Sequence, residues 1–208
     1  MANYKLQVEF TDEQLENLFT CGSKVIIAKP SEGSDPNVAW ISFQPMQANT
    51  LTWDEEYGIY VSSSEVEHGA NLDQLSSTPI GASMDKLYTL EPTGVITGPD
   101  TGGEEFSFAL LNEYNNKDFL TVGLFQDATV NGTDIIGNAT SAVPVLLAST
   151  SVMTPYTTVY IWVQSDVESN TVVTQVTSPM TELKFGGGTS DISVQYDTGS
   201  GKFISIQS

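Results

Sequence analysis

The residues of this chain that are best suited to chemistry form one short run of aromatic and acidic side chains, Trp-Asp-Glu-Glu-Tyr-Gly at residues 53–58. Aromatic ring faces stack on sugars and other small ligands, and carboxylates accept the protons of hydroxyl groups. The run therefore predicts a ligand contact. The alternative is an acidic connection between two strands, whose Trp53 and Tyr57 enter the core. Successive strand residues point to opposite faces, so three adjacent carboxylates do not predict a paired general acid and base.

A second group of aromatic residues extends this predicted ligand-binding surface. Tyr156, Tyr160 and Trp162 are separated by even spacings, and even spacings place side chains on the same face of a strand. Such a row is typical of a β-sheet core and also of a binding surface. The full set of residues assigned to the predicted ligand-binding surface is Trp40, Trp53, Asp54, Glu55, Tyr57, Tyr156 and Trp162.

The tripeptide Asp-Thr-Gly occurs twice, beginning at Asp100 and at Asp197. Each copy resembles the signature of the aspartic proteases, in which two such loops bring their carboxylates together to share one proton and activate a water. The resemblance is confined to the tripeptides, and it implies a carboxylate-dependent acid/base hydrolase as an alternative function. Two ordinary turns built from turn-favouring residues explain the same pattern. We therefore assign no catalytic residue.

Metal and cofactor sites have few candidate ligands in this sequence. His68 is the only histidine and Cys21 the only cysteine, which excludes a conventional structural zinc site. Asp100, Glu104 and Glu105 share a glycine-rich segment whose oxygens suit Ca²⁺, although the segment lacks the EF-hand pattern and also fits a solvated loop. The metal site is thus left open, no cofactor is predicted, and the lone thiol is expected to be a buried apolar group.

The formal net charge of -19 reflects a shortage of basic residues, because 26 acidic residues face seven lysines and no arginine. Without arginine there is no bidentate fork for phosphate, and scattered lysines do not line a nucleic-acid backbone. The sequence therefore predicts neither nucleic acid nor an anionic membrane as a partner. A negative field attracts cations and keeps copies apart near neutral pH. Acidification or millimolar Ca²⁺ is expected to promote self-association, because lysines that usually guard strand edges are scarce.

Strands must position these residues, since apolar and polar residues alternate over much of the chain. Leu6 and Val8 alternate with polar neighbours, as do Ile192 and Val194, which predicts strands with one buried face. Many such runs separated by turn residues predict an all-β antiparallel β-sandwich in a single domain, residues 1–208.

Local signals add one short N-terminal helix and two hairpins. Thr11 and Gln14 have the spacing of a capping box. Asn131-Gly132 predicts a type I′ hairpin turn, and residues 197–201 predict a turn between the last two strands. Residues 62–67 and 91–105 are expected to be long loops.

The two halves of the chain share a weak echo. A strand with Trp40 precedes Asn49-Thr50, and a strand with Trp162 precedes Asn170-Thr171. The echo predicts either a weak internal duplication or a chance recurrence of common β-strand residues.

Together these features predict a non-enzymatic binding or self-assembling β-sandwich protein. It is lectin-like or toxin-like by analogy of architecture alone, and its expected ligand is a neutral or cationic small molecule or glycan. The start of the sequence lacks the basic and apolar segments of a secretory signal, which predicts a cytoplasmic protein and leaves leaderless export open.

Overall fold

The computed structural model describes residues 2–33 and 35–206. Within these residues the chain forms one helix, α1 (Asp12–Thr20), and nineteen strands. In chain order the strands are β1 (Asn3–Glu9), β2 (Lys24–Ala28), β3 (Val38–Ala39), β4 (Ile41–Phe43), β5 (Ala48–Asp54), β6 (Gly58–Ser62), β7 (Gln74–Ser77), β8 (Lys86–Leu90), β9 (Ile96–Asp100), β10 (Phe108–Asn112), β11 (Phe119–Val130), β12 (Thr133–Ala139), β13 (Val143–Leu146), β14 (Thr150–Met153), β15 (Thr158–Gln164), β16 (Thr171–Val172), β17 (Thr181–Lys184), β18 (Asp191–Asp197) and β19 (Lys202–Ser205).

The largest sheet is organised around β11, the longest strand. Its strand order is β19-β18-β1-β5-β11-β6-β7, and β12 and β13 also pair with β11. The registers place β5 and β6 in line along one side of β11, and β12 and β13 in line along the other. A three-stranded ribbon therefore runs the length of β11, and the other strands of this sheet extend its two ends.

Two four-stranded sheets cover the two halves of this ribbon. The sheet β17-β15-β2-β4 packs with β1, β5 and β18 in a first core, which includes Leu6 and Ile161. The sheet β14-β10-β8-β9 packs with β6 and the first half of β11 in a second core, which includes Ile59 and Leu110. The protein is thus all-β and sandwich-like with one short helix, as its sequence predicts. Most strand pairs are antiparallel, but β1–β18 and β8–β10 are parallel. The single domain over residues 1–208 stays a prediction.

The predicted local signals are present in the structure. In β1, Leu6 and Val8 are buried, so the alternation does place one face in the core. At the start of α1, Gln14 N donates to Thr11 Oγ1 and Thr11 N donates to Gln14 Oε1, which completes the capping box. Leu15 then lies on the buried face of the helix.

Both predicted hairpin turns are confirmed. Asn131 and Gly132 join β11 to β12 with φ values of 50° and 81°. A type I′ turn requires positive φ at both central residues, and its twist suits the flanking strands. Residues 197–201 join β18 to β19, which pair antiparallel.

Two expectations about local structure were wrong. Residues 91–105 are not one loop, because they contain β9, which pairs with β8. This edge strand is mostly exposed, so its sequence lacks the apolar alternation that marks a strand. The thiol of Cys21 is exposed, since Cys21 lies at the solvent-facing C-terminal end of α1.

The segments of the weak echo lie in different surroundings. Trp40 follows β3 and belongs to the first core, whereas Trp162 lies within β15 and packs in a separate cluster with Ile26. β3 pairs with β16, so the strand before Trp40 lies beside the Asn170-Thr171 segment of the other half. Among the residues described, no helix is long and apolar enough to cross a membrane.

Candidate ligand-binding site

The acidic and aromatic run of residues 53–58 forms a bulge between β5 and β6. Leu51 pairs with Val130, and Gly58 pairs with Phe125. The chain therefore advances seven positions from β5 to β6 while the opposite strand β11 advances five. The two extra residues are accommodated at residues 54–57, which we call the bulge. Bulges re-aim side chains and are over-represented next to functional sites. Trp53 and Asp54 still pair with Tyr4 and Asn3 of β1, so the bulge separates the run from β11 and not from the rest of the sheet.

An acidic cleft of about 290 Å³ lies beside the bulge. Its carboxylates come from both sides of the ribbon: Asp54 and Glu56 belong to the bulge, and Asp127 and Asp134 belong to β11 and β12. Its apolar lining is provided by Ile80, Ile135 and Ile136. The hairpin at Asn131-Gly132 brings the two β11–β12 carboxylates together, because it pairs these strands antiparallel.

Three of these carboxylates are held in place by short contacts. Asn3 Nδ2 donates to Asp54 Oδ1 over 3.1 Å, and Gly137 N donates to Asp127 Oδ1 over 2.7 Å. Thr129 Oγ1 donates to Asp134 Oδ1 over 2.9 Å. Each carboxylate is therefore oriented through one oxygen by a neutral donor.

No lysine neutralises the acidic cleft in the described part of the chain. The ion pairs among the described residues join Lys5 to Asp191, Lys24 to Glu168 and Lys184 to Glu182, and none of these residues lines the cleft. The described residues also contain no group of three or more His, Cys, Asp or Glu arranged to hold a metal ion. The cleft carries an unpaired negative charge without the geometry of a metal centre.

A fully buried lysine lies behind the bulge. Lys29 follows β2 and is 2% exposed, and its Nζ donates to the hydroxyl of Tyr57 over 2.7 Å. The Tyr57 hydroxyl lies 3.0 Å from Glu55 Oε1, to which it can donate. Nζ also lies 5.3, 5.9 and 4.8 Å from the ring centroids of Trp40, Trp53 and Tyr57. We call the hydrogen-bonded series Lys29–Tyr57–Glu55 the Lys29 relay.

Burial controls the protonation of the Lys29 relay. It lowers the pKa of Lys29 to about 7, and the charge of Glu55 opposes this shift. Burial, followed by the charge and hydrogen bond of Glu55, raises the pKa of Tyr57 well above its usual value. The pKa of Tyr4 is raised by burial and then by Glu55. Lys29 is therefore the member that changes charge near neutral pH, while Tyr57 keeps its proton.

Buried polar atoms without a partner concentrate at the bulge. Among the described residues, Trp53 Nε1, Glu55 Oε2 and Gln126 Oε1 are buried and make no hydrogen bond, and Asn112 Nδ2 is the fourth such atom. Gln126 is fully buried, and its Nε2 donates to the Asp54 carbonyl over 2.6 Å. An unsatisfied buried polar group costs about 1–3 kcal/mol. Interior polar groups are thus least well satisfied behind the bulge.

The structure brings together some of the sequence-predicted ligand residues and separates others. Trp40, Trp53 and Tyr57 enclose Lys29 and are at most 3% exposed. Trp162 is also buried, in another cluster, where its Nε1 donates to Gln164 Oε1. Stacking on a surface ligand requires an exposed ring face, which these four side chains do not offer.

The remaining predicted residues lie on or near the bulge. Asp54 is exposed and lines the acidic cleft, and Glu55 is half-buried in the Lys29 relay. Tyr156 is half-buried, and its carbonyl oxygen lies 3.3 Å from the Tyr57 hydroxyl, as a second acceptor. Of the predicted set, the acidic residues are therefore at least partly accessible to a ligand, whereas most of the aromatic side chains are buried beneath them.

Sequence reasoning missed Lys29, Gln126, Asp127 and Asp134. The sequence did contain a signal for Asp127 and Asp134. The hairpin predicted at Asn131-Gly132 places β12 beside the end of β11, and this pairing brings the two aspartates to the same end of the ribbon. Lys29 had a weaker one, because it directly follows the apolar strand β2. Nothing local indicated that a glutamine in β11 contacts the bulge.

The two aspartates of the repeated tripeptide lie in different sheets, Asp100 on β9 and Asp197 at the end of β18. Asp197 accepts hydrogen bonds from Ser200 Oγ and Ser200 N, at 2.5 and 3.0 Å. These bonds lower the pKa of Asp197. Its partners therefore belong to its own turn.

Comparison with known proteins finds no family model, no curated protein and no solved structure that matches this chain.

Proposed function

We propose that this protein is a non-enzymatic binding protein whose acidic cleft recognises an organic cation with an apolar body. The observation that carries the proposal is the composition of the cleft: four carboxylates that pair with no lysine among the described residues, beside three isoleucines. Carboxylates attract a cationic group, and the isoleucines offer apolar contact to the rest of the ligand.

The exposure of the isoleucines supports an apolar ligand body. Ile136 is 77% exposed and Ile80 is 37% exposed, although both are large apolar side chains. Binding sites combine an apolar lining with a few placed polar groups, and they begin at about 300 Å³. The acidic cleft, at about 290 Å³, suits a small ligand.

The same observations favour a cation over a sugar. A sugar site uses exposed ring faces for stacking, and Trp40, Trp53 and Tyr57 are buried. The carboxylates remain available, and their summed charge favours a positive ligand over a neutral one.

The test is calorimetric titration with benzyltrimethylammonium, which carries a permanent positive charge on a small aromatic body. We expect a dissociation constant on the order of millimolar, as fits about 11 non-hydrogen atoms. Benzyl alcohol serves as the uncharged probe and phenylacetate as the anionic one, and both are expected to bind more weakly.

Matched variants locate the binding. Asp127→Asn and Asp134→Asn should each weaken binding of the cation about two- to fivefold, since each removes one partly exposed charge. Asp166→Asn is the control, because Asp166 is exposed in the loop after β15 with φ of 60°, which Asn tolerates. Equal binding of benzyl alcohol, or equal loss in Asp166→Asn, would contradict the proposal.

A further inference from the structure

The Lys29 relay is physically joined to the acidic cleft. The ring of Trp53, a residue that lines the cleft, has its centroid 5.9 Å from Lys29 Nζ. Tyr57 and Glu55 belong to the same bulge that carries Asp54 and Glu56 into the cleft. A change in the relay therefore acts on the backbone segment that holds half of the cleft carboxylates.

The proton on Lys29 decides the direction of the hydrogen bonds in the relay. A charged ammonium has donors and no acceptor, so the Tyr57 hydroxyl accepts from Nζ and is free to donate to Glu55 Oε1. A neutral amine has a lone pair, so the Tyr57 hydroxyl can donate to Nζ instead. Glu55 then loses this donor, and its carboxylate is no longer held by the relay.

The described groups that face Lys29 include one carboxylate, and the others are hydroxyls and aromatic rings. From the bulge come Glu55 and Tyr57, from β1 comes Tyr4 next to Glu55, and Trp40 and Trp53 contribute ring faces. Glu55 is the carboxylate whose charge acts on Lys29, and no ion pair among the described residues includes Lys29. Burial places the pKa of Lys29 at about 7.

We infer that the Lys29 relay is a proton switch for the acidic cleft, in which protonation of Lys29 weakens the binding of a cation and deprotonation strengthens it. The inference rests on the proposed function and adds its regulation. With Lys29 protonated, its charge offsets that of Glu55 behind the cleft. With Lys29 neutral, the charge of Glu55 is unopposed and adds to the attraction for a cation.

One buried charge behind the cleft, partly screened by solvent, changes cation affinity by about threefold to tenfold. Coupling is reciprocal, so a bound cation must also shift the titration of Lys29 to lower pH.

The test measures binding of benzyltrimethylammonium by calorimetry at about pH 6 and about pH 8.5, on either side of the Lys29 titration. This probe does not titrate, so its own charge is constant. The wild-type protein should bind about threefold to tenfold more tightly at the higher pH. Lys29→Met, which replaces the amine with a neutral unbranched side chain one heavy atom shorter, should bind equally at both pH values and at the tighter level.

Two control variants separate the relay from general effects of charge. Lys24→Met removes a positive charge from the other end of β2, where Lys24 pairs with Glu168, and should keep the wild-type pH dependence. His68→Gln removes the one histidine, whose Nδ1 accepts from Thr174 N, and should also keep it. Tyr57→Phe removes the hydroxyl that accepts from Lys29 Nζ and leaves the charges of Lys29 and Glu55 in place. It should keep the part of the pH dependence that comes from these charges and lose the part that comes from the hydrogen bonds of the relay.

The outcomes distinguish this inference from the proposed function. Equal affinity of the wild-type protein at the two pH values overturns the switch and leaves the binding function standing. A pH dependence that survives in Lys29→Met does the same. Absence of binding at both pH values overturns the proposed function and the switch together.

Discussion

Lys29 Nζ and the Tyr57 hydroxyl, 2.7 Å apart, join the first core of the protein to the second. Lys29 follows β2, whose Val25 and Ile27 lie in the first core, and Tyr57 lies in the second core. Through this contact Lys29 binds the bulge, which lies between the β5 and β6 segments of the ribbon. A buried ammonium at this junction has a cost that depends on pH, because water solvates a charged amine better than ring faces do.

We predict that Lys29→Met stabilises the protein more at low pH than at high pH. The pKa of Lys29 falls from 10.5 to about 7 on folding. Between these values the unfolded chain binds more protons than the native protein, so stability rises with pH, and below about pH 7 the full cost of the buried charge is present. The wild-type protein should gain about 2–3 kcal/mol from this group between about pH 6 and pH 9.

Urea denaturation at the two pH values measures this gain. Lys29→Met should lack it, so the difference in unfolding free energy between variant and wild type should shrink as the pH rises. Lys24→Met provides the control, because this side chain reaches solvent and pairs with Glu168. The same pH slope in wild type and Lys29→Met would show that the buried amine does not titrate in this range.

A second prediction concerns the close approach of the ribbon strands at Gly123. A Cβ at this position would lie 1.9 Å from the Ser141 carbonyl oxygen and 2.7 Å from the ring of Tyr60. The first neighbour is backbone and cannot rotate away, so Gly123→Ala should destabilise the protein by about 3 kcal/mol or more. For a chain of this size that corresponds to a fall in the melting temperature of roughly 6–12 °C.

The control for this substitution is Gly199→Ala. A Cβ at Gly199 would meet only the Asp197 carboxylate, at 3.6 Å, an ordinary contact. We expect a change in melting temperature of about 2 °C or less. Calorimetric melting of both variants makes the comparison, and equal melting temperatures for the two would contradict the close approach of Ser141 to Gly123.

Features fixed by neighbouring residues could be predicted from the sequence. The capping box of Thr11 and Gln14 and the turn at Asn131-Gly132 depend on two or three positions, so their patterns are local. The buried face of β1 also follows from alternation. By contrast, β7 and β9 are largely exposed edge strands, and without apolar alternation they give no such signal.

The candidate site could be predicted only in part, because its geometry depends on distant pairing. The acidic run marked the position of the bulge. The bulge itself exists because the chain from β5 to β6 has two more residues than the stretch of β11 that lies opposite. The contact of Lys29 with Tyr57 spans 28 residues, and that of Gln126 with Asp54 spans 72. No short-range pattern encodes contacts of that kind, and three of the rings assigned to a surface, those of Trp40, Trp53 and Tyr57, surround a buried amine.

The last prediction is self-association on acidification, which the sequence suggests and the edge strands make specific. In the described sheet β12 pairs with β11 on one side, and its Ile136 is 77% exposed. Near the pI of about 4.1 the carboxylates lose their mutual repulsion. Millimolar Ca²⁺ should act in the same direction, because the negative field attracts the divalent cation and part of the carboxylate charge is offset. Light scattering should therefore rise as the pH falls from neutrality.

Ile136→Lys should reduce that rise, because a lysine on an edge strand opposes pairing with another chain. Phe19→Lys is the matched control, since Phe19 is 51% exposed but lies on α1, away from any strand edge. Equal suppression by both variants would assign the association to general charge and hydrophobicity instead of the β12 edge. Scattering that stays flat in the wild-type protein would mean that carboxylate repulsion is not what keeps the copies apart.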